Sequence, residues 1–186
     1  MKLLKKRAFA LFLTAVLVIA STLVSTNLKL GKKCSAVTDG FYDGVTVNGV
    51  MQPAIAAQLR SICSSADSLA VLASSYGLDV QDVEDNSVWL KNSMRYSRED
   101  ASYIYYEYEH LMKALSALQI QLDRAELSDR DAESVSQLTA AVAEAQRGIE
   151  SSAYNDSVRE FLRKYDSTYT YALAAMAGVD MPEYFS

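Results

Sequence analysis

The spacing of apolar residues between positions 101 and 125 restricts the fold more than any other feature. They recur at alternating intervals of three and four residues, in the order Ala101, Ile104, Tyr108, Leu111, Leu115, Leu118, Leu122 and Ala125. This spacing places all of them on one face of an α-helix, as in the seam of a helical bundle. Residues 53–76 repeat the pattern with Ile55, Leu59, Ile62, Ala66, Leu69, Ala73 and Tyr76. The sequence therefore predicts two long amphipathic helices that pack against other helices.

Capping residues and shorter apolar series indicate two further helices. One follows Asp79, and the other is capped by Ser128 or by the residue after it. Gly77 suits the end of the first helix, and Ser97 with Asp100 three residues later suits the start of the third. Only seven glycines and two prolines in 186 residues also favour helices over a turn-rich β fold. We therefore predict an all-α body that forms an antiparallel up-and-down four-helix bundle.

The amino terminus carries an uncharged apolar segment, residues 8–24, behind four basic residues. As a helix this segment spans about 25 Å, slightly less than the ~30 Å hydrocarbon core of a bilayer. Thr26 and snorkelling basic side chains can extend it. A cleaved secretory signal is the competing interpretation, although no convincing small-residue cleavage motif follows. We predict a transmembrane anchor at residues 1–26, with residues 8–26 in the membrane.

Charge separates the amino terminus from the rest of the chain. Residues 1–33 contain seven of the 18 basic residues and no acidic residue, which leaves 11 basic against 23 acidic residues in the remainder. An acidic body without a clustered basic stripe is repelled by nucleic acid, so nucleic-acid binding is excluded. Four basic residues before the apolar segment and three after it favour a cytoplasmic amino terminus and an extracytoplasmic body.

Residues 27–52 contain four glycines and no sustained periodicity, which predicts a juxtamembrane linker with one short turn at "FYDG". The bundle then occupies residues 53–186. The two cysteines allow two interpretations. Cys34 could reach the first bundle helix from a flexible linker and pair with Cys63 in an oxidising compartment. Alternatively, Cys63 is a small buried apolar residue and Cys34 is an unpaired thiol.

Two features of the third helix resemble functional sites. Glu107 and His110 have the Glu-x-x-His spacing of bundle metal sites, but such sites need a second copy and His110 is the only histidine. Both side chains are therefore predicted to be solvated. The tyrosines of "SYIYYEYE" (102–109) suggest an aromatic binding surface, yet Tyr108 falls on the seam and the others fit helix margins. Because no nucleophile elbow, phosphate-binding loop or histidine acid–base pair occurs, we expect no enzyme activity, no metal site and no cofactor.

The buried face changes direction after Ile149. The next apolar series begins five residues later and comprises Tyr154, Val158, Phe161 and Tyr165. Five residues correspond to a rotation of roughly 140°, so the first seam cannot also bury this series. Either a new helix starts with a capping box at Ser157 and Glu160, or one long helix continues and packs against a different neighbour. That neighbour is predicted to be the returning segment that carries Tyr171, Leu173 and Met176.

The carboxyl-terminal third resembles the LemA family of bacterial membrane-anchored helical proteins. The residues that carry the resemblance are "YNDSVREF" (154–161) and the terminal "PEYF" (182–185), which closes the segment "YALAAMAGVDMPEYFS". Glu144 also falls where the family usually has a glutamate. The first bundle helix departs from the family, because it lacks the usual tryptophan and the "DLIPNLV"-like segment. The layout of a basic terminus, one apolar anchor and antiparallel helices is similar to that of the family.

The resemblance implies a fold and a role. In the family the Tyr-Asn-Asp segment lies inside a long helix, so continuity is expected through residues 151–166, with Asn155 and Asp156 exposed or hydrogen-bonded to the returning tail. The family has no established enzymatic activity to transfer. We therefore expect a membrane-tethered interaction or scaffold module that docks a protein partner at the bacterial cell surface. The alternative is a sensor or carrier for a small ligand or cation, which the acid excess and the tyrosines suggest.

Overall fold

The computed structural model describes residues 2–97, 100–165 and 167–186. Most of these residues are helical, as the apolar seams predict, and two short strands form the one sheet among them. The elements in chain order are α1 (Lys2–Asp43), β1 (Val45–Val47), β2 (Val50–Gln52), α2 (Ile55–Ser75), α3 (Gln81–Tyr96), α4 (Ala101–Leu122), α5 (Asp129–Glu150), α6 (Tyr154–Tyr165) and α7 (Thr168–Ala177).

The longest element, α1, has two different parts. Its span from Phe9 to Asp43 is long and apolar enough to cross a membrane, with a mean hydropathy of 2.2 over its most apolar window, none of which is buried. The later part packs against α2, α6 and α7. The residues of α1 that belong to the core follow a spacing of three and four: Leu30, Cys34, Val37 and Phe41. One continuous helix therefore joins the apolar segment to the body.

The predicted juxtamembrane linker, residues 27–52, is regular secondary structure. Most of it belongs to α1, and the remainder is a β-hairpin. Gly40 lies inside the helix, where an added Cβ would be 2.9 Å from the side chain of Val45. This glycine therefore permits a close contact and does not mark a flexible segment.

The hairpin turns at Asn48 and Gly49. Both residues have positive φ angles, 51° and 80°, and Val47 pairs with Val50 across the turn. These angles are those of a type I′ turn, whose twist matches that of the two strands. The Asn-Gly pair between alternating apolar residues explains why "VTVNGVMQ" forms a hairpin and not an irregular loop.

The four predicted helices of the body are present as α2 to α5. α2 packs against α3 and α5, and α3 packs against α4. The seam of α2 is buried from Ile55 to Ala73, and α4 buries its series from Ile104 to Leu122. Tyr108 is only half-buried in this series. The heptad spacing thus located the core positions of both long helices.

The helix ends follow the predicted chemistry with two differences. The residue before α3 is Val80 and not the predicted cap Asp79, although the Asp79 carboxylate accepts the Gln81 N–H at 3.2 Å. Gly77 has a φ of 72° directly after the last turn of α2, and the Ser128 side chain accepts a hydrogen bond from the first turn of α5. The third helix is capped by Asp100, whose carboxylate accepts the Tyr103 N–H at 2.7 Å, and not by Ser97. Helix α4 therefore begins three residues later than the Ser97 capping box would have placed it.

The helix is interrupted between α5 and α6, so the prediction of a continuous helix through residues 151–166 is wrong. α5 ends at Glu150, and a short turn precedes Tyr154. Ser157 does not start the new helix either, since its hydroxyl donates to the Ala153 carbonyl from inside α6. A break lets α6 aim its apolar face away from the first seam, which a straight helix could not do.

The apolar series of α6 forms a second buried face, as its spacing predicts. Tyr154, Val158 and Phe161 are buried and Tyr165 is half-buried. The predicted cover is wrong in detail, because Tyr171 and Met176 are exposed. The face is covered instead by α1, by α7 and by the segment after α7, residues 178–186. The residues that cover it are chiefly Leu30, Cys34, Phe41, Ala174, Val179 and Phe185.

Candidate functional site

The carboxyl-terminal tail, residues 178–186, docks into the body without forming a helix or strand. Val179, Pro182 and Phe185 are buried, and the residues between them are exposed or half-buried. An irregular segment of this kind must satisfy its backbone polar groups through other parts of the chain. The start of α6 supplies much of this hydrogen bonding.

Two consecutive residues of α6 hold the backbone of the tail. The Asn155 amide donates from Nδ2 to the Phe185 carbonyl at 3.0 Å, and its Oδ1 accepts the Phe185 N–H at 2.9 Å. The Tyr154 hydroxyl donates to the Glu183 carbonyl at 2.9 Å. A side-chain amide that binds both polar groups of one residue copies the pairing of a neighbouring β-strand. The Tyr-Asn motif therefore holds the backbone of residues 183–185 of the same chain.

The Phe185 side chain enters a cluster of aromatic rings. Its centroid lies 5.0 Å from Tyr105, 5.5 Å from Phe41 and 5.8 Å from Tyr108. Phe41 in turn makes an edge-to-face contact with Tyr154 at 5.4 Å. Burial raises the pKa of the Tyr154 phenol, so this hydroxyl stays protonated and remains a hydrogen-bond donor. The cluster joins α1, α4, α6 and the tail at one end of the body.

The tyrosines of α4 fall into a half-buried pair and an exposed pair. Tyr105 and Tyr108 are half-buried against Phe185, whereas Tyr103 and Tyr106 are exposed. The aromatic surface suggested by the sequence thus exists in part, and its ligand is a phenylalanine of the same chain. The spacing of apolar residues could not identify Phe185, because the tail has no period. The one signal was the terminal aromatic pair noted in the LemA resemblance.

The Glu-x-x-His pair separates into two environments. His110 is exposed beside the Tyr106 ring, but Glu107 is buried at 8% exposure, contrary to the prediction that it is solvated. A hydrogen bond to the Glu107 carboxylate raises the pKa of the Tyr103 phenol. Within the described ranges, no group of three histidine, cysteine, aspartate or glutamate side chains is placed to hold a metal ion.

Both cysteines are buried free thiols in separate clusters. Cys34 lies within α1 and not in a flexible leader, so the premise for its pairing with Cys63 does not hold. Burial raises the pKa of each thiol to about 11, and the charge of Asp180 adds to the effect at Cys34. Both residues therefore act as small apolar side chains of the core.

These thiols are expected to react slowly until the protein unfolds. A rise in pKa from 9.0 to about 11 lowers the thiolate fraction at pH 8 about a hundredfold, and burial blocks access further. Alkylation with iodoacetamide, followed by mass spectrometry, should label neither cysteine in the native protein and both in denaturant. A Ser64→Cys variant places an exposed thiol beside Cys63 as a reactive control. Failure to label in denaturant without reductant would reveal a disulfide.

Removing the Asn155 side chain should loosen the tail. Asn155→Ala leaves the N–H and carbonyl of Phe185 without their partner, which costs about 1–3 kcal/mol of unfolding free energy. Asp156→Ala is the matched control, because Asp156 is exposed and its ion pair with Arg159 is worth less than about 1 kcal/mol. Chemical denaturation in detergent micelles, followed by circular dichroism, measures both. Equal stabilities would show that the tail is undocked in solution.

No protein-family model, curated protein or solved structure matches this chain. The LemA resemblance therefore rests on the two short motifs at residues 154–161 and 182–185. These motifs, which are distant in sequence, contact each other directly through Tyr154, Asn155 and Phe185. Their joint occurrence in this chain has a physical reason, because each one completes the other's hydrogen bonds.

Proposed function

We propose that this chain is a LemA-like, single-pass protein of a bacterial cell membrane, whose body is a non-catalytic module that docks a protein partner outside the cytoplasm. The observation that carries the proposal is the continuity of α1. The apolar, exposed part of this helix passes without interruption into the part that forms the core beside α6 and α7. A membrane anchor built in this way belongs to the same helix that packs against the body.

The exposed apolar surface of α1 supports the membrane assignment. Phe9, Leu11 and Phe12 each expose about two thirds of their surface. Contiguous apolar surface of this size is unfavourable in water and is typical of a membrane or protein contact. The basic residues on both sides of the segment fit a transmembrane orientation with the amino terminus in the cytoplasm.

The surface of the body supports a role in protein binding. We assign α2 to α5 as an antiparallel up-and-down four-helix bundle, which presents an acidic surface to partners. Val88 and Trp89 are exposed on α3, and Val50 and Met51 are exposed on the hairpin. Aromatic and apolar side chains of this kind anchor protein interfaces, whereas the surrounding charges favour partners of opposite sign.

Protease protection in intact cells tests the anchor and its orientation together. Epitope tags are placed at both termini, and the cells are treated with protease before and after permeabilisation. We expect the carboxyl-terminal tag to be lost in intact cells and the amino-terminal tag to be lost only after permeabilisation. Protection of the carboxyl-terminal tag would contradict the extracytoplasmic body, and loss of both tags would contradict the spanning helix.

One observation favours the sensor or carrier as a second candidate. A cleft of about 1000 Å³ lies between the α3–α4 junction and the tail. Asp100, Asp180 and Glu183 line this cleft at separate points, and among the described residues they are not placed to share one metal ion. A cation bound there would stabilise the folded state by about 2.7 kcal/mol at a hundredfold excess over its Kd. Thermal denaturation with and without millimolar calcium or magnesium separates the candidates, because no shift in Tm would count against cation binding.

A further inference from the structure

Helix α7 is held against α1 directly after the apolar segment. The Asn27 side chain donates to the Ala177 carbonyl at 2.8 Å, and Lys33 hydrogen-bonds the Tyr165 hydroxyl just before α7 begins. Ala174 is buried in the same cluster as Leu30. Asn27 lies three residues after the last residue of the apolar segment, which is about 4.5 Å along the helix axis. The carboxyl-terminal end of α7 is therefore held beside the point where α1 would leave a bilayer, whereas the residue that precedes its start is held at Lys33, about 9 Å further along α1.

The exposed surface of α7 has an unusual composition for a helix that faces water. Residues 167–179 contain no charged side chain. Tyr169 and Met176, which are seven residues apart and so lie on one face, expose 70% and 65% of their surface. Tyr171 lies on another flank and lines the cleft beside the tail. The Tyr169–Met176 face combines an amphipathic ring with an apolar chain, as residues at a membrane–water interface do.

Exposed basic side chains lie on the part of α1 that packs against α7 and at the end of α6. No acidic residue occurs between positions 8 and 38, although the chain as a whole is acidic. Asp166 is the one acidic residue between Lys164 and Asp180. We name these exposed basic side chains of α1 and α6 the basic collar. It consists of Lys29, Lys32, Lys33, Arg163 and Lys164. A cluster of positive charge close to the end of an apolar segment is complementary to anionic lipid headgroups.

We infer that the carboxyl-terminal end of α7 contacts the membrane surface, with Met176 among the lipid headgroups and the basic collar facing anionic phosphates. This inference rests on the proposed anchoring by α1. It adds a second contact with the membrane and fixes the height of the body. Phe41, where the core of α2 to α5 begins, then stands about 21 Å along α1 from Asn27. The partner-binding part of the body is consequently held at a set distance from the lipid.

Three single-tryptophan proteins test this arrangement in vesicles of equimolar phosphatidylglycerol and brominated phosphatidylcholine. The wild type carries its only tryptophan, Trp89, exposed on α3. One variant combines Met176→Trp with Trp89→Phe, and another combines Phe12→Trp with Trp89→Phe. Bromine quenches tryptophan fluorescence only at contact, and its position on the acyl chain reports depth. The full-length chain is used throughout, and both leaflets carry the quencher, so orientation does not affect the result.

We expect loss of emission at position 176 with bromines near the headgroup, loss at position 12 with bromines part-way along the acyl chain, and no loss at Trp89. Quenching at position 12 without quenching at position 176 would overturn the inference and leave the anchor intact. Absence of quenching at both positions would contradict the proposed anchor itself. Quenching at all three positions would also overturn the inference, because the body would then lie flat on the lipid.

Discussion

Replacing Phe185 with alanine is expected to lower the free energy of unfolding by about 3–5 kcal/mol, the usual cost of removing a buried aromatic ring. Phe185 is 4% exposed and its ring contacts Phe41, Tyr105 and Tyr108. The loss combines the transfer free energy of the ring with the cavity left among residues that cannot collapse onto it. Few single changes outside the core of α2 to α5 should cost as much.

Denaturant unfolding in micelles measures this effect, with Tyr106→Ala as the matched control. Tyr106 is an aromatic residue on α4 that is more than half exposed, so its loss should change stability by no more than about 0.5 kcal/mol. Hydrogen exchange locates the damage. In the Phe185→Ala protein, amides at the start of α6 should exchange faster, because the tail no longer covers Tyr154, while α2 keeps its protection. Equal stabilities of the two variants would contradict the docked tail.

The helices α2 and α4 could be predicted because their information is local. A spacing of three and four residues over three heptads identifies both the helix and the face that it buries, and the structure buries Ile62 and Leu111 as the spacing requires. Neither prediction depends on knowing the neighbour. The same logic identified the second buried face of α6, with Tyr154 and Val158 at its start.

The later part of α1 was harder to recognise, although the signal was present. Leu30, Cys34, Val37 and Phe41 have the same spacing, but small and polar residues between them dilute it, and the glycines at 31 and 40 suggest a linker. Contacts with α6 and α7 override the weak helix propensity of these glycines. Tertiary contacts therefore decided the secondary structure of this segment, and such contacts are not readable from a window of sequence.

The tail-binding site could not be derived from spacing, because its hydrogen bonds involve the backbone of the ligand segment. Asn155 binds the N–H and carbonyl of Phe185, groups that nearly every residue possesses. Asparagine is unusual within a helix, so the sequence predicted that the Asn155 side chain is either exposed to solvent or hydrogen-bonded to the tail. The structure selects the second. The break before Tyr154 also places Asn155 in the first turn of α6, where a poor helix former costs little.

Placing two arginines in the middle of the apolar segment is expected to release the protein from the membrane. Leu13 and Leu17 are exposed on α1 and lie near the centre of residues 8–24. Each arginine at the centre of a transmembrane helix costs about 3 kcal/mol of insertion free energy, so Leu13→Arg with Leu17→Arg costs about 6 kcal/mol, or roughly a 10⁴-fold shift towards water. The measurement is the fraction that resists extraction by alkaline carbonate.

The control places arginines at Val71 and Val88, which are equally exposed but lie on α2 and α3. This control protein should stay in the membrane, because its changes do not touch the apolar segment. Unfolding should not account for release in the Leu13 and Leu17 variant, because α1 bonds to the body from Asn27 onward. Its circular dichroism should stay helical. Retention of both proteins after carbonate treatment would show that something other than α1 holds the chain. Release of both would show that general charge, and not the apolar segment, governs the association.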